Sequence, residues 1–187
     1  MASPITHFVV GAALALPAVR SARLRRVLPP WATPVIAGLL AVIPDVDVLW
    51  YRGFPSDSAL GHRGFSHAAF TLLLCASALA AVIARSCRRG AAQLALIWAA
   101  SAVTHPLLDM LTDGGSGVML LFPFSRERLF FSWRPIHVSP LSALRFFSGA
   151  GYILKSELPF CLAAVAIGVT GFLLQRPAIE QDRREAS

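Results

Sequence analysis

Apolar residues gather along the chain in five blocks, at about 5 to 19, 33 to 50, 65 to 84, 91 to 112 and 159 to 175, with short polar connections between them. A helix needs roughly 20 apolar residues to cross the hydrocarbon core of a bilayer, and each block approaches that length. The pattern predicts an all-α fold: an integral membrane helical bundle of about five transmembrane helices, forming one domain over residues 1–187. One longer polar stretch, 113 to 158, alternates apolar clusters with arginines and prolines and holds no run clean enough for a sixth span. It is expected to lie along the interface, with Phe122, Phe124, Phe130, Phe131 and Trp133 at headgroup level. Arg126, Arg128 and Arg134 would then meet lipid phosphates, and Gly114, Gly115 and Gly117 would let the segment hinge as a lid.

Composition agrees with the block pattern. Apolar residues make up 56% of the chain, charged ones only 14%, and the mean hydropathy is +0.62, which is too apolar for an ordinary soluble domain. The first block is not a secretory signal, because such signals carry basic residues ahead of the apolar run. Here Arg20, Arg23, Arg25 and Arg26 follow it. Basic residues set orientation, since cytoplasmic loops keep an excess of Lys and Arg. The runs RSARLRR, RSCRRG and RPAIEQDRRE carry ten of the seventeen basic residues and fall on one side of a five-span map. That places the amino terminus outside the inner (cytoplasmic) membrane and the carboxyl terminus in the cytoplasm. The net charge of +7 reflects orientation and contact with anionic lipid. Without an aromatic-interleaved basic groove, no direct nucleic-acid binding is expected. Cys75, Cys87 and Cys161 are packing residues, too far apart in sequence for a ligand pair.

Ionisable residues change the picture most. His7 opens the first block, Asp45 and Asp47 close the second, His62 and His67 introduce the third, and His105 and Asp109 close the fourth. All seven fall on the outer side and come from four spans, so a bundle would gather them at one end of its interior. His105 and Asp109 share a helical face at i, i+4, while Pro106 is expected to interrupt the helix there. Pro44 does the same before Asp45, and in an extended or frayed Asp45-Val46-Asp47 the two carboxylates would turn together. Imidazole with carboxylate is the ligand mixture of hydrolytic metal sites, and ionisable groups at membrane depth mark function. In GHRGFSH, Gly64 would tighten a turn so that His62 and His67 converge on the ion, leaving Arg63 to grip an anion. His137 is expected as an exposed loop histidine, and Glu157 as an amino-terminal cap of the fifth helix.

The succession of His7, PDVD, GHRGFSH and THPLLDMLTDGG followed by LLFPFS resembles the YdjM-type inner-membrane metal-dependent hydrolases, a family also described as LexA-binding membrane hydrolases. The likeness runs from His7 to about Arg134, and GHRGFSH fits the family's His-Arg-Gly-aromatic-Ser/Thr-His at every position. It implies a metal site at His7, Asp45, Asp47, His62, His67, His105 and Asp109. The cofactor would be one or two divalent ions, zinc first, with manganese, iron or magnesium as other candidates. The resulting expectation is hydrolysis of a phosphoester or related ester in an amphiphilic or lipid substrate. Asp47 or Asp109 would take a proton and Arg63 would bind the anion. Membrane lipids are the expected partners. The alternative is a non-catalytic, metal-clamped regulatory protein, for which a closed ligand shell would speak. A transporter is disfavoured, because between Ala68 and Ala84 nothing is more polar than Thr71, Cys75 and Ser77, and 33 to 43 and 159 to 169 are as bare.

Overall fold

The computed structural model describes residues 1–140 and 143–175, with the side chains of 143–145 excepted. The carboxyl-terminal run RPAIEQDRRE, used above for orientation, therefore lies outside the described residues. Helices α1 (Pro4–Leu14), α2 (Ala22–Arg25), α3 (Ala32–Leu40), α4 (Ala69–Ile83), α5 (Arg88–Met110) and α6 (Ala143–Leu174) account for the regular structure, together with short 3₁₀ segments. Among the described residues extended pairing is confined to two isolated bridges, Thr112 with Ile136 and Val118 with Leu129. The all-α expectation holds.

Span lengths depart from five equal helices. Among the described residues only α5, at 23 residues, and Phe146–Leu174, at 29, are long and apolar enough to cross a membrane alone. A third span is formed if α3 and the following 3₁₀ segment, Ile43–Leu49, count together across their 43° bend. Pro44 sits in the first turn of that segment, where its missing N–H costs nothing. α1 and α4 are shorter apolar helices of 11 and 15 residues. α6 also begins far earlier than the expected position 159, because Pro159 is carried inside the helix. Pro106 likewise fails to interrupt α5. A proline removes one hydrogen bond and crowds the preceding turn, which a long helix held by packing absorbs.

Small residues bring the helices close enough to concentrate the polar groups. A Cβ on Gly11 of α1 would lie 2.5 Å from the Ala41 side chain, and one on Gly168 of α6 only 2.1 Å from the Ala13 carbonyl oxygen. Such contacts drive helix association where lipid removes the hydrophobic incentive. α1 is thereby held between α3 and α6, while α4 packs along α5. The main core, from Leu24, Leu40, Leu72, Leu94, Trp98 and neighbouring alanines, fills the end of the bundle away from His7 and Asp109. Trp98 is fully buried and donates its indole N–H to the Thr33 carbonyl at 3.1 Å.

Candidate metal centre

Four elements deliver the polar residues to one end. α1 supplies His7 and the 3₁₀ segment after α3 supplies Asp45 and Asp47. The loop before α4 supplies His62, Arg63 and His67, and the last turns of α5 supply His105 and Asp109. The loop folds tightly: Gly64 passes so near residue 59 that a Cβ would meet the Ala59 carbonyl at 2.1 Å, and Arg63 takes a left-handed φ of 62°. The tight turn expected at Gly64 is thus present, but it brings only His67 into a group with Asp45, His105 and Asp109, while His62 pairs with Asp47.

Asp45, His67, His105 and Asp109 each present a ligand atom, all within 4.8 Å of one another, and all four side chains are buried. His105 Nδ1 lies 2.7 Å from the Ala41 carbonyl, which can only accept, so Nδ1 carries the proton and Nε2 a lone pair. His67 is fixed by a relay: its Nδ1–H faces Ser66 Oγ at 3.0 Å, and that hydroxyl donates to Asp47 Oδ2 at 3.0 Å. Both Nε2 lone pairs then point at carboxylate oxygens. His67 Nε2 is 3.5 Å from Asp45 Oδ1 and 3.6 Å from Asp109 Oδ2, and His105 Nε2 is 3.5 Å and 3.9 Å from the same two atoms. These spacings exceed a hydrogen bond, and all four atoms are buried; three lack a hydrogen-bond partner, while Asp109 Oδ2 has the Arg63 guanidinium 2.9 Å away.

Acceptors facing acceptors in a buried pocket call for a cation between them. An ion about 2.0 to 2.2 Å from each donor holds its donors roughly 3 to 4 Å apart, which matches these separations. Charge leads to the same conclusion. Asp45, Asp47 and Asp109 are buried beside one buried guanidinium, Arg63, so a cation among the carboxylates would lower the cost of burying them. The donor set therefore fits a divalent metal. Holding each imidazole by its other nitrogen is the usual outer support of a metal-binding histidine.

The remaining sequence candidates surround these four. Asp47 and Asp45 do not turn together: residues two apart on a 3₁₀ helix lie about 120° apart around the axis. Asp45 meets the cluster, while Asp47 faces the loop and accepts from His62 Nδ1 at 2.7 Å, Arg63 N–H at 3.2 Å and Ser66 Oγ. Asp47, His62 and His67 are close enough to form a second donor group, but Asp47 and His62 already satisfy one another. His7 stacks on His105 with ring centroids 3.7 Å apart, its Nε2 3.4 Å from Asp109 Oδ1, outside the group of four. Arg63 reaches the site with Nε 2.9 Å from Asp109 Oδ2, and donates to Gly114 O at 3.1 Å and Thr112 Oγ1 at 2.9 Å.

Several outer residues differ from expectation. Glu157 does not cap its own helix; it lies mid-α6, fully buried, and caps α1 instead. Its carboxylate accepts from Ser3 N and Ser3 Oγ at 2.5 Å and from Thr6 Oγ1 at 2.7 Å. No local signal could have revealed this, because the partners are more than 150 residues away in sequence. Arg128 does not reach for lipid: it donates to the carbonyls of Ser58, His62 and Gly117 and to Ser116 Oγ, tying the loops together. Gly115 packs against Arg63, where a Cβ would press on Nη1 at 2.6 Å. His137 is half-buried, stacked on Tyr152 and bonded to Asp113 at 2.8 Å. Burial would raise the Asp113 pKa, but bonds from His137 and the Val138 N–H outweigh it and hold the group below its usual value.

A bundle of apolar helices with a buried His/Asp donor cluster at one end defines a membrane protein with a candidate metal centre. The chain belongs to the YdjM inner membrane protein family, whose pattern matches residues 1–178. It is 38% identical over 140 residues to inner membrane protein YbcI of Escherichia coli (strain K12), covering 71% of this chain and 78% of that protein. No solved structure matches the chain.

Proposed function

We propose that the protein is a metal-dependent hydrolase of a phosphoester or related ester in an amphiphilic substrate. The observation that carries this reading is the group of four buried, converging donors with an Asp–His pair and a guanidinium beside it. Asp45, His67, His105 and Asp109 would hold the ion. A divalent metal there would supply Lewis acidity towards an ester oxygen and acidify a water. An ionised Asp47 fixes the proton of His62 on Nδ1 and leaves Nε2 free to take a proton from water, a role that passes from Asp47, expected from sequence, to its imidazole partner. The water oxygen bonds to the ester phosphorus or carbonyl carbon, the ester bond to the leaving oxygen breaks, and His62 returns the proton to that oxygen. Arg63 offsets the charge of Asp109 and offers its remaining N–H groups to an anion.

The second reading is a non-catalytic metal clamp, favoured by one feature: four protein donors complete a tetrahedral shell. Catalysis therefore calls for an ion that accepts more than four ligands, as manganese, iron or magnesium do and as zinc does when five-coordinate. The orientation proposed is that of the basic-residue distribution, with the metal end of the bundle away from the cytoplasm.

The test is metal analysis of the purified protein, with a screen of soluble and lipid phosphoesters. His62→Ala should keep its metal and lose turnover by at least about 100-fold, a typical contribution of a proton-transfer group. A metal-replete wild type that turns over no ester would leave the clamp as the better reading. For orientation, a reporter near Ser116 should be external and one after Ser187 cytoplasmic; the reverse would move the site to the other leaflet.

A further inference from the structure

Two cavities flank the donor cluster, and they differ in character. The larger, about 530 Å³, is walled by Ile5, Val46, Leu49, Phe146 and Phe147, and Asp45 is the ionisable side chain on its wall. The smaller, about 270 Å³, is lined by His62, Arg63 and Gly115. Met1, Ser139 and Pro140 line both, so the two cavities adjoin. The larger lies within the size range of small-molecule sites. Its outer residues Ile5, Leu49 and Phe147 are each more than half exposed and continue the apolar surface that the helices present to lipid.

These observations fit one kind of occupant. A chamber lined almost wholly by apolar side chains suits an uncharged hydrocarbon chain entering from the bilayer. The anion has its own place, beside Arg63 and His62. Since Asp45 belongs both to the chamber wall and to the metal donors, a chain filling the chamber ends at the cluster. We infer that the ligand is a membrane amphiphile whose alkyl or acyl chain fills the chamber formed by α1, the 3₁₀ segment after α3 and the start of α6, with its phosphate-bearing head in the Arg63 chamber. The junction of chain and head then falls at the donor cluster. This assignment rests on the hydrolase reading for its chemistry, but the binding it describes can be measured without turnover.

The probe is monohexadecyl phosphate with a diazirine at the chain end, applied to the full, metal-loaded protein in nanodiscs. Label is expected on Ile5, Val46, Leu49 or Phe147. Val46→Trp and, at the rim, Leu49→Trp should each cut that labelling at least about tenfold by filling the chamber, with metal content unchanged. Arg63→Lys should weaken labelling by the phosphate probe, while labelling by the matching hexadecanol probe stays within about twofold, because only the former needs the planar fork. Labelling that ignores both tryptophan variants, or that spreads evenly over lipid-facing residues of α6 such as Leu173, overturns the inference. A wild type that labels in the chamber and hydrolyses nothing would instead count against the hydrolase reading alone. Full metal and turnover of soluble phosphoesters without chamber labelling would count against the chain site alone.

Discussion

Among the described residues α5 and α6 are the two helices able to cross a bilayer by themselves, yet they do different work. The most apolar window of α5 has a mean hydropathy of 1.3 and is 44% buried inside the protein; that of α6 reaches 1.9 and is 17% buried. The more apolar helix is the more exposed one, opposite to a water-soluble protein, because lipid solvates leucine as well as a protein interior does. α5 can therefore spend positions on function. It carries Trp98 into the core and His105 and Asp109 into the donor cluster. α6 presents Leu162, Ile167, Leu173 and Leu174 outward, and its contribution to the donor cluster is indirect, through Glu157.

The contrast can be broken or sharpened by substitution. Trp98→Ala should have the largest effect, about 3–5 kcal/mol of lost stability in a reversible unfolding assay, from the cavity and the lost indole bond to Thr33. His105→Ala should weaken metal binding at least about 100-fold, equivalent to roughly 2.7 kcal/mol, in a competition titration, with the helical content of the protein kept. If it binds metal normally, the four-donor centre is wrong.

Glu157→Gln tests the indirect role. A neutral amide at that position accepts with one oxygen only, so α1 loses part of its cap and His7, next to Thr6, loses its fixed place over His105. Metal affinity should fall about tenfold, the lower end for residues that support ligands, and Glu157→Asp should restore little because the shorter side chain does not reach. Unchanged affinity would confine Glu157 to α1 stability.

Asp113→Asn should cost less than about 1 kcal/mol, since the pair with His137 is partly exposed. The sign with pH follows from the depressed pKa: the carboxylate's contribution is present above its unfolded value, about 3.9, and is lost as pH falls through the lower folded value. Acid titration of the wild type should show this loss below about pH 4, and the variant should be flatter there. Leu173→Ala, on the lipid face of α6, should stay within about 0.5 kcal/mol of wild type. A loss as large as that of Trp98→Ala would mean the face is covered.

What the sequence determined alone is the medium and the cast of residues. Blocks of apolar residues fix a helical membrane protein, because a backbone in hydrocarbon must bond to itself. Seven His and Asp residues at the block ends fix which groups can meet, since side chains this costly to bury persist where they converge. GHRGFSH also carried its own turn, as the packing of Gly64 against Ala59 makes plain.

Only the tertiary structure divided the seven into four donors, a supporting Asp47–His62 pair and a stacked His7. That division depends on which nitrogen of each imidazole is occupied, and the occupants, Ala41 O and Ser66 Oγ, are ordinary groups with no sequence signature. Helix lengths were likewise settled by contacts: Glu157 looked like a helix start until Ser3 and Thr6, at the far end of the chain, supplied the bonds that let it lie buried in mid-helix. Local pattern registers what a residue costs to bury, whereas the partner that offsets the cost is chosen by packing across the bundle.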